Sequence, residues 1–129
     1  MVLHRLGEKQ VRVMEREMPR HCLTLDLKKN ETAIAEYKRY HMKIWPEVKQ
    51  SLLDAGVVAM EIYLLGTRMF MIMDVDDTFS LSAKAAADAV NAKVQEWETT
   101  MQQFQQQLPE ARGDQWWMVM DKIFNLDEQ

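Results

Sequence analysis

The run Val57-Val58-Ala59-Met60-Glu61-Ile62-Tyr63-Leu64-Leu65-Gly66-Thr67-Arg68-Met69-Phe70-Met71-Ile72-Met73-Asp74-Val75 decides the fold. Its halves, Val57 to Leu65 and Arg68 to Val75, are apolar and rich in β-prone side chains. Gly66-Thr67 between them is a two-residue hairpin signal of the glycine-first kind. Working back from this hairpin, Arg20 to Leu27 alternates as a strand does: His21, Leu23, Leu25 and Leu27 face one way, Cys22, Thr24 and Asp26 the other. Lys28-Lys29-Asn30 breaks the alternation, and Asn30 is a good N-cap. Ile34, Tyr37, His41, Trp45, Val48 and Leu52 then follow steps of three and four, one helical stripe that Gly56 ends. Pro46 lacks an N–H and crowds the carbonyl of Met42, so the helix is expected to kink or loosen just after His41.

Working forward, Asp74, Asp76 and Asp77 mark a polar turn, and Phe79 to about Ala89 is alanine-rich and helical. Asn91 caps a second helix with Val94, Trp97, Met101, Phe104 and Leu108 on one face, ended by Pro109 and Gly113. Gln115 to Phe124 reads as a last strand, with Trp116, Met118 and Met120 on one face and Trp117, Val119 and Ile123 on the other, both covered. The order β-α-β-β-α-β predicts an α+β, ferredoxin-like fold: a four-stranded antiparallel sheet with helices on one face. Apolar positions remain on the other face, which predicts a homodimer with sheets facing each other and a cleft between sheet and helices.

A chain of 129 residues is about one domain, long enough for a single core without disulfides. That domain is expected over residues 20–126. Residues 1–19, charged at both signs and ending at Pro19, read as an arm of unknown structure, with a short helix, an extra arm and an early start site all open, and lack the apolar centre of a signal peptide. The net charge of −4 argues against a broad basic face for nucleic acid. No apolar run is long enough to span a membrane. Cys22 is the single cysteine, which fits a reducing cytosol and reads as a small core residue. The 11 methionines read as adaptable core filling. No phosphate-cradling glycine motif occurs, and His4, His21 and His41 are not spaced as metal ligands, so neither cofactor nor metal is expected. Asp74, Asp76 and Asp77 lack the glycine and glutamate of a calcium loop.

Chemistry concentrates in Tyr37-Lys38-Arg39-Tyr40-His41-Met42-Lys43-Ile44-Trp45-Pro46-Glu47. Tyr37, His41 and Trp45 are one turn apart and share a helix face. Histidine exchanges protons near neutral pH, and aromatic rings suit the apolar face of a sugar. Plain core packing is the competing reading of the same stripe.

The run from Glu36 to Glu47 resembles the EYxxxHxxIWPE signature of the L-rhamnose mutarotase family. Glu61-Ile62-Tyr63, the hairpin, Val94-Gln95-Glu96-Trp97 and Asp121-Lys122-Ile123-Phe124 fall in the family's order, so the resemblance spans about residues 20–126. It implies a dimeric α+β barrel, no cofactor, and interconversion of the α and β pyranose anomers of a 6-deoxy-L-hexose. It implies His41 as the proton donor, acid to the ring oxygen on opening and base on closure. Tyr37 would contact the sugar and Trp97 would form an apolar wall. The family's strand tyrosine and second tryptophan fall at Met60 and Glu98, a departure that favours L-fucose slightly over L-rhamnose. Glu98 is then a hydroxyl acceptor or second base, or else an exposed helix residue. Tyr63 lines the site or packs the sheet. A small monooxygenase on the same barrel and a non-catalytic sugar-binding regulator are the rival readings.

Overall fold

The computed structural model of the protein describes residues 19–129. The arm expected at 1–19 therefore lies, apart from Pro19, outside the described residues. The elements in chain order are β1 (Arg20–Leu27), α1 (Glu31–Met42), α2 (Pro46–Ala55), β2 (Val57–Leu65) and β3 (Arg68–Val75), then α3 (Leu81–Ala89), α4 (Ala92–Gln102), β4 (Gln105–Gln106) and β5 (Met118–Val119). A short 3₁₀ turn, Leu126–Glu128, follows. The sheet is antiparallel with order β2-β3-β1, and both β4 and β5 pair with the remaining edge of β1. This is the ferredoxin-like strand order, and the chain is α+β as its sequence predicts.

The hairpin sets the register: Leu65 pairs with Arg68 across Gly66-Thr67. Gly66 has φ +63° while no described non-glycine residue has positive φ, which is the pattern of a glycine-first II′ turn. Alternation then places Leu23, Leu25, Leu27, Met69, Met71, Met73 and Val75 in the core beneath the helices. The buried methionines of β3 fill that core as expected. The opposite face carries Cys22, Thr24, Phe70, Ile72 and Tyr63. Cys22 is thus a half-buried residue of the outer face and not part of the core.

Three of the helix starts are capped as the sequence predicts or by the same device. Asn30 accepts from the Ala33 N–H at 3.0 Å, Ser80 from Ala83 at 3.0 Å and Asn91 from Val94 at 3.2 Å. Gly56 ends α2 in the left-handed region at φ +99°.

Three expectations are corrected. The first helix does not merely kink: it ends at Met42, runs extended through Trp45, and restarts with Pro46 at the first helical position. Proline is favoured there because its missing N–H would have no helical partner anyway. The second helix stops at Gln102, six residues short of Leu108, and Gln105–Gln106 instead pairs with Asp26 and Leu27 of β1. The last strand shrinks to Met118–Val119, because β4 already occupies part of the same edge. Its faces are not both covered either: Val119, Met120, Ile123 and Phe124 are exposed in the protomer.

Candidate active site

A cleft of about 550 Å³ opens between the sheet and the helices. Its floor is sheet: Leu23, Met60, Ile62, Met71 and Met73. Its walls come from α1 (Tyr37, His41), α3 (Lys84, Asp88) and α4 (Val94, Gln95, Trp97, Glu98), with Trp116 and Trp117 from the segment before β5. Gln107 ties that segment down, donating from Nε2 to the carbonyls of Gly113 at 2.8 Å and Gln115 at 2.9 Å.

The break after Met42 leaves His41 in the last turn of α1, half-buried. Its Nδ1 lies 2.8 Å from the Tyr37 carbonyl oxygen. A carbonyl can only accept, so Nδ1 carries the hydrogen and Nε2 is the ring nitrogen left for a ligand. Burial lowers the imidazole's pKa, against the Tyr37 hydrogen bond that raises it. His41 therefore rests neutral, with a lone pair on Nε2. The ring is held on both sides: Tyr37 stacks at 4.3 Å between centroids, and Trp97 meets it edge-on at 5.4 Å. Trp45 braces Trp97 from behind at 5.2 Å and is not part of the cleft lining.

Tyr37 is buried, and its phenol oxygen accepts from Gln105 Nε2 at 3.2 Å. Burial pushes its pKa up to about 12, with the Gln105 bond opposing. The phenol keeps its proton at neutral pH. Glu98 is half-buried, and Gln95 Nε2 donates to its Oε2 at 3.2 Å. Burial and the nearby Asp88 push its carboxyl up, while Lys84 and Gln95 pull it down.

Of the residues singled out in the sequence, Tyr37, His41, Met60, Trp97 and Glu98 meet in this one cleft. Tyr63 does not. It pairs with Phe70 on the opposite sheet face, exposed, with its hydroxyl bonded to Glu61. Strand alternation forces this, because Met60 and Ile62 face the helices and Tyr63 cannot. Lys84, Asp88, Gln95 and Gln105 were not anticipated. Gln105 sits in a glutamine-rich stretch with no periodic signal, and Lys84 and Asp88 look like solvent-facing charges on an alanine helix. Among the described residues, no group of three or more histidine, cysteine, aspartate or glutamate side chains is placed to hold a metal ion. No described helix is long and apolar enough to cross a membrane.

A neutral imidazole with one free nitrogen, an aromatic wall and ordered carboxylates define an α+β cleft equipped for proton transfer on a small polar molecule. The model of the L-rhamnose mutarotase family matches residues 20–126. An L-fucose mutarotase of Xanthomonas campestris pv. campestris is 40% identical over 113 residues, covering 86% of this chain and 90% of that protein. A UPF0734 protein of Dictyostelium discoideum is 36% identical over 111 residues, 83% and 89% of the two chains. The crystal structure of an L-rhamnose mutarotase from Formosa agariphila shares the fold, with TM-score 0.61, 24% identity, and coverage of 84% of this chain and 98% of that one. The chain belongs to the L-rhamnose mutarotase family. It is a sugar mutarotase, an isomerase, which favours that reading over a monooxygenase or a sugar-binding regulator.

Proposed function

We propose that this mutarotase interconverts the α and β pyranose anomers of a 6-deoxy-L-hexose, L-fucose in preference to L-rhamnose, with His41 moving the proton. The free Nε2 of a neutral His41 inside the cleft is the observation that carries the mechanism. In it, Nε2 takes the proton from the anomeric hydroxyl. The C1–O5 bond breaks as the C1 carbonyl forms, and the ring oxygen receives a proton from the imidazolium. The aldehyde turns about C1–C2, and the same transfers run backwards on the other face. Proton and electron counts balance without any other reactant. His41 thus remains the acid to the ring oxygen on opening and the base on closure, and the neutral resting imidazole adds a first step in which Nε2 acts as base to the anomeric hydroxyl. Tyr37 positions the imidazole through its carbonyl and its ring, and its neutral phenol can donate to a sugar hydroxyl. Trp97 forms the apolar wall. Met60 lies on the cleft floor and Glu98 on its wall, where the hydroxyl pattern would be read.

The preference for L-fucose rests on Met60 and Glu98 and on the 40% identical relative that bears that sugar's name. Two copies are proposed to associate through the outer sheet face. The domain is proposed to comprise residues 20–126.

The test is proton NMR saturation transfer between anomeric signals of L-fucose and of L-rhamnose, with and without protein. Faster exchange for L-fucose is expected. Folded protein that accelerates L-rhamnose alone would overturn the sugar preference. His41→Gln is expected to remove most of the rate, about 10²–10⁴-fold, while the variant stays folded.

A further inference from the structure

Helix α3 turns its two charges toward the cleft. On an ordinary surface helix the apolar side faces the core and charges face water. Here Lys84 and Asp88 are the charged residues, one turn apart, and they point inward, with side chains only 18% and 13% exposed. Ala83, Ala86 and Ala87 face away from the cleft, Leu81, Ala85 and Ala89 border the pair on the cleft side, and no α3 residue is buried. Lys84 Nζ donates to Asp88 Oδ2, and both residues line the cleft. A largely desolvated ion pair is a poor device for stability, because losing water costs the two charges about what their attraction returns. Its place on the cleft wall gives it another use.

A chain of contacts joins it to α4. Gln95 Nε2 donates to the Asp88 carbonyl oxygen at 2.9 Å and to Glu98 Oε2 at 3.2 Å. Three helices thus supply distinct walls: α1 brings the proton-transfer group, and α3 and α4 bring a linked set of charges. We propose that Lys84 and Asp88, held beside Glu98 by Gln95, form the hydroxyl-reading wall of the cleft and fix the sugar by its C3 and C4 hydroxyls. This rests on the mutarotase reading, which puts C1 and the ring oxygen at His41 and leaves the far side of the pyranose for α3. A vicinal diol offers one donor to a carboxylate and one acceptor to an ammonium, which matches this pair. Asp88, Glu98 and Asp114 on the cleft lining outnumber Lys84, so the wall suits an uncharged sugar and repels a sugar phosphate.

The test is a KM and kcat comparison of wild type, Asp88→Asn and Lys84→Met on L-fucose and on L-fucose lacking its 4-hydroxyl, by the same NMR exchange. Circular dichroism checks that each variant is folded. On L-fucose both variants should raise KM about tenfold, the worth of one hydrogen bond to a charged group, with kcat changed less than twofold. On the 4-deoxy sugar the wild type should already show the raised KM, and the variant of the residue that holds the 4-hydroxyl should add little, while the other should still raise it. An active wild type whose variants leave KM unchanged, or both raise it equally for the two sugars, overturns this proposal alone. A wild type that accelerates neither L-fucose nor L-rhamnose overturns the sugar reading and this proposal with it.

Discussion

His41 acts through an atom chosen by its neighbour. Because the Tyr37 carbonyl holds Nδ1–H, deleting the tyrosine ring cannot free the wrong nitrogen, but it does remove the stacking that fixes the ring. Burial also sets the direction of pH dependence. The folded chain binds the His41 proton less readily than the unfolded chain, since its pKa is lowered mainly by desolvation. Both the active neutral form and the stability linked to it are complete above the ordinary histidine value of about 6.5, and are lost as pH falls through the depressed folded value. The kcat/KM profile should therefore fall on its acid side with an inflection below that ordinary value. An inflection above it would contradict a desolvated imidazole. Tyr37→Phe removes the acceptor for the buried Gln105 amide. An unfolding midpoint lower by the equivalent of about 1–3 kcal/mol is expected, readable in urea.

At the scale of elements, ends are decided by single residues. Gly56 has φ +99°, and a Cβ there would meet the Asp76 carboxylate and lie 2.8 Å from Thr78 Oγ1. That turn is tied together, since Asp76 N–H donates to the Gly56 carbonyl at 2.9 Å and Thr78 N–H to Asp76 Oδ1 at 2.9 Å. Gly56→Ala should cost about 1–2 kcal/mol from backbone strain alone, with the contact adding to it. A thermal midpoint equal to wild type would refute the account. The same scale explains what the sequence could and could not reveal. Strand alternation in β1 and β3, the Gly66 turn and the Asn30 and Asn91 caps are local signals, and they were legible. The stripe from Ile34 to Leu52 was legible as a packed face, but not as two helices, because periodicity survives a short extended break. Phe104 and Leu108 continued a helical rhythm that β1 overrode by pairing with Gln105–Gln106. Tertiary pairing of this kind leaves no mark in a local pattern. Of the cleft, His41 and Tyr37 are legible in the signature, and Met60, Trp97 and Glu98 only through the wider family resemblance. Lys84 and Asp88 are hidden, because a charge on an alanine helix normally faces water, and of the two readings open for Tyr63 strand parity selects the sheet face.

At the scale of the molecule, the outer sheet face carries Phe70, Ile72 and Tyr63 between two ion pairs. Arg20 meets Asp74 at 2.7 Å near one end, and Arg68 meets Asp26 near the other. An apolar patch with a charged rim fits association of two copies. The proposed association through this face predicts that the wild type sediments as a dimer and that Ile72→Lys shifts it to a monomer without unfolding the chain. A dimer that survives the change would place the interface elsewhere. The pairing of β1 has a further consequence, for the chain as it is made. Leu23 in the first described strand waits for Val119 near the end, with Met120 N–H closing on the Cys22 carbonyl at 2.8 Å. Until synthesis delivers that last segment, β1 keeps part of one edge unpaired on a growing polypeptide. Such an edge is a template for aggregation. A truncated product ending before Met118 would leave the ribosome with that edge still open.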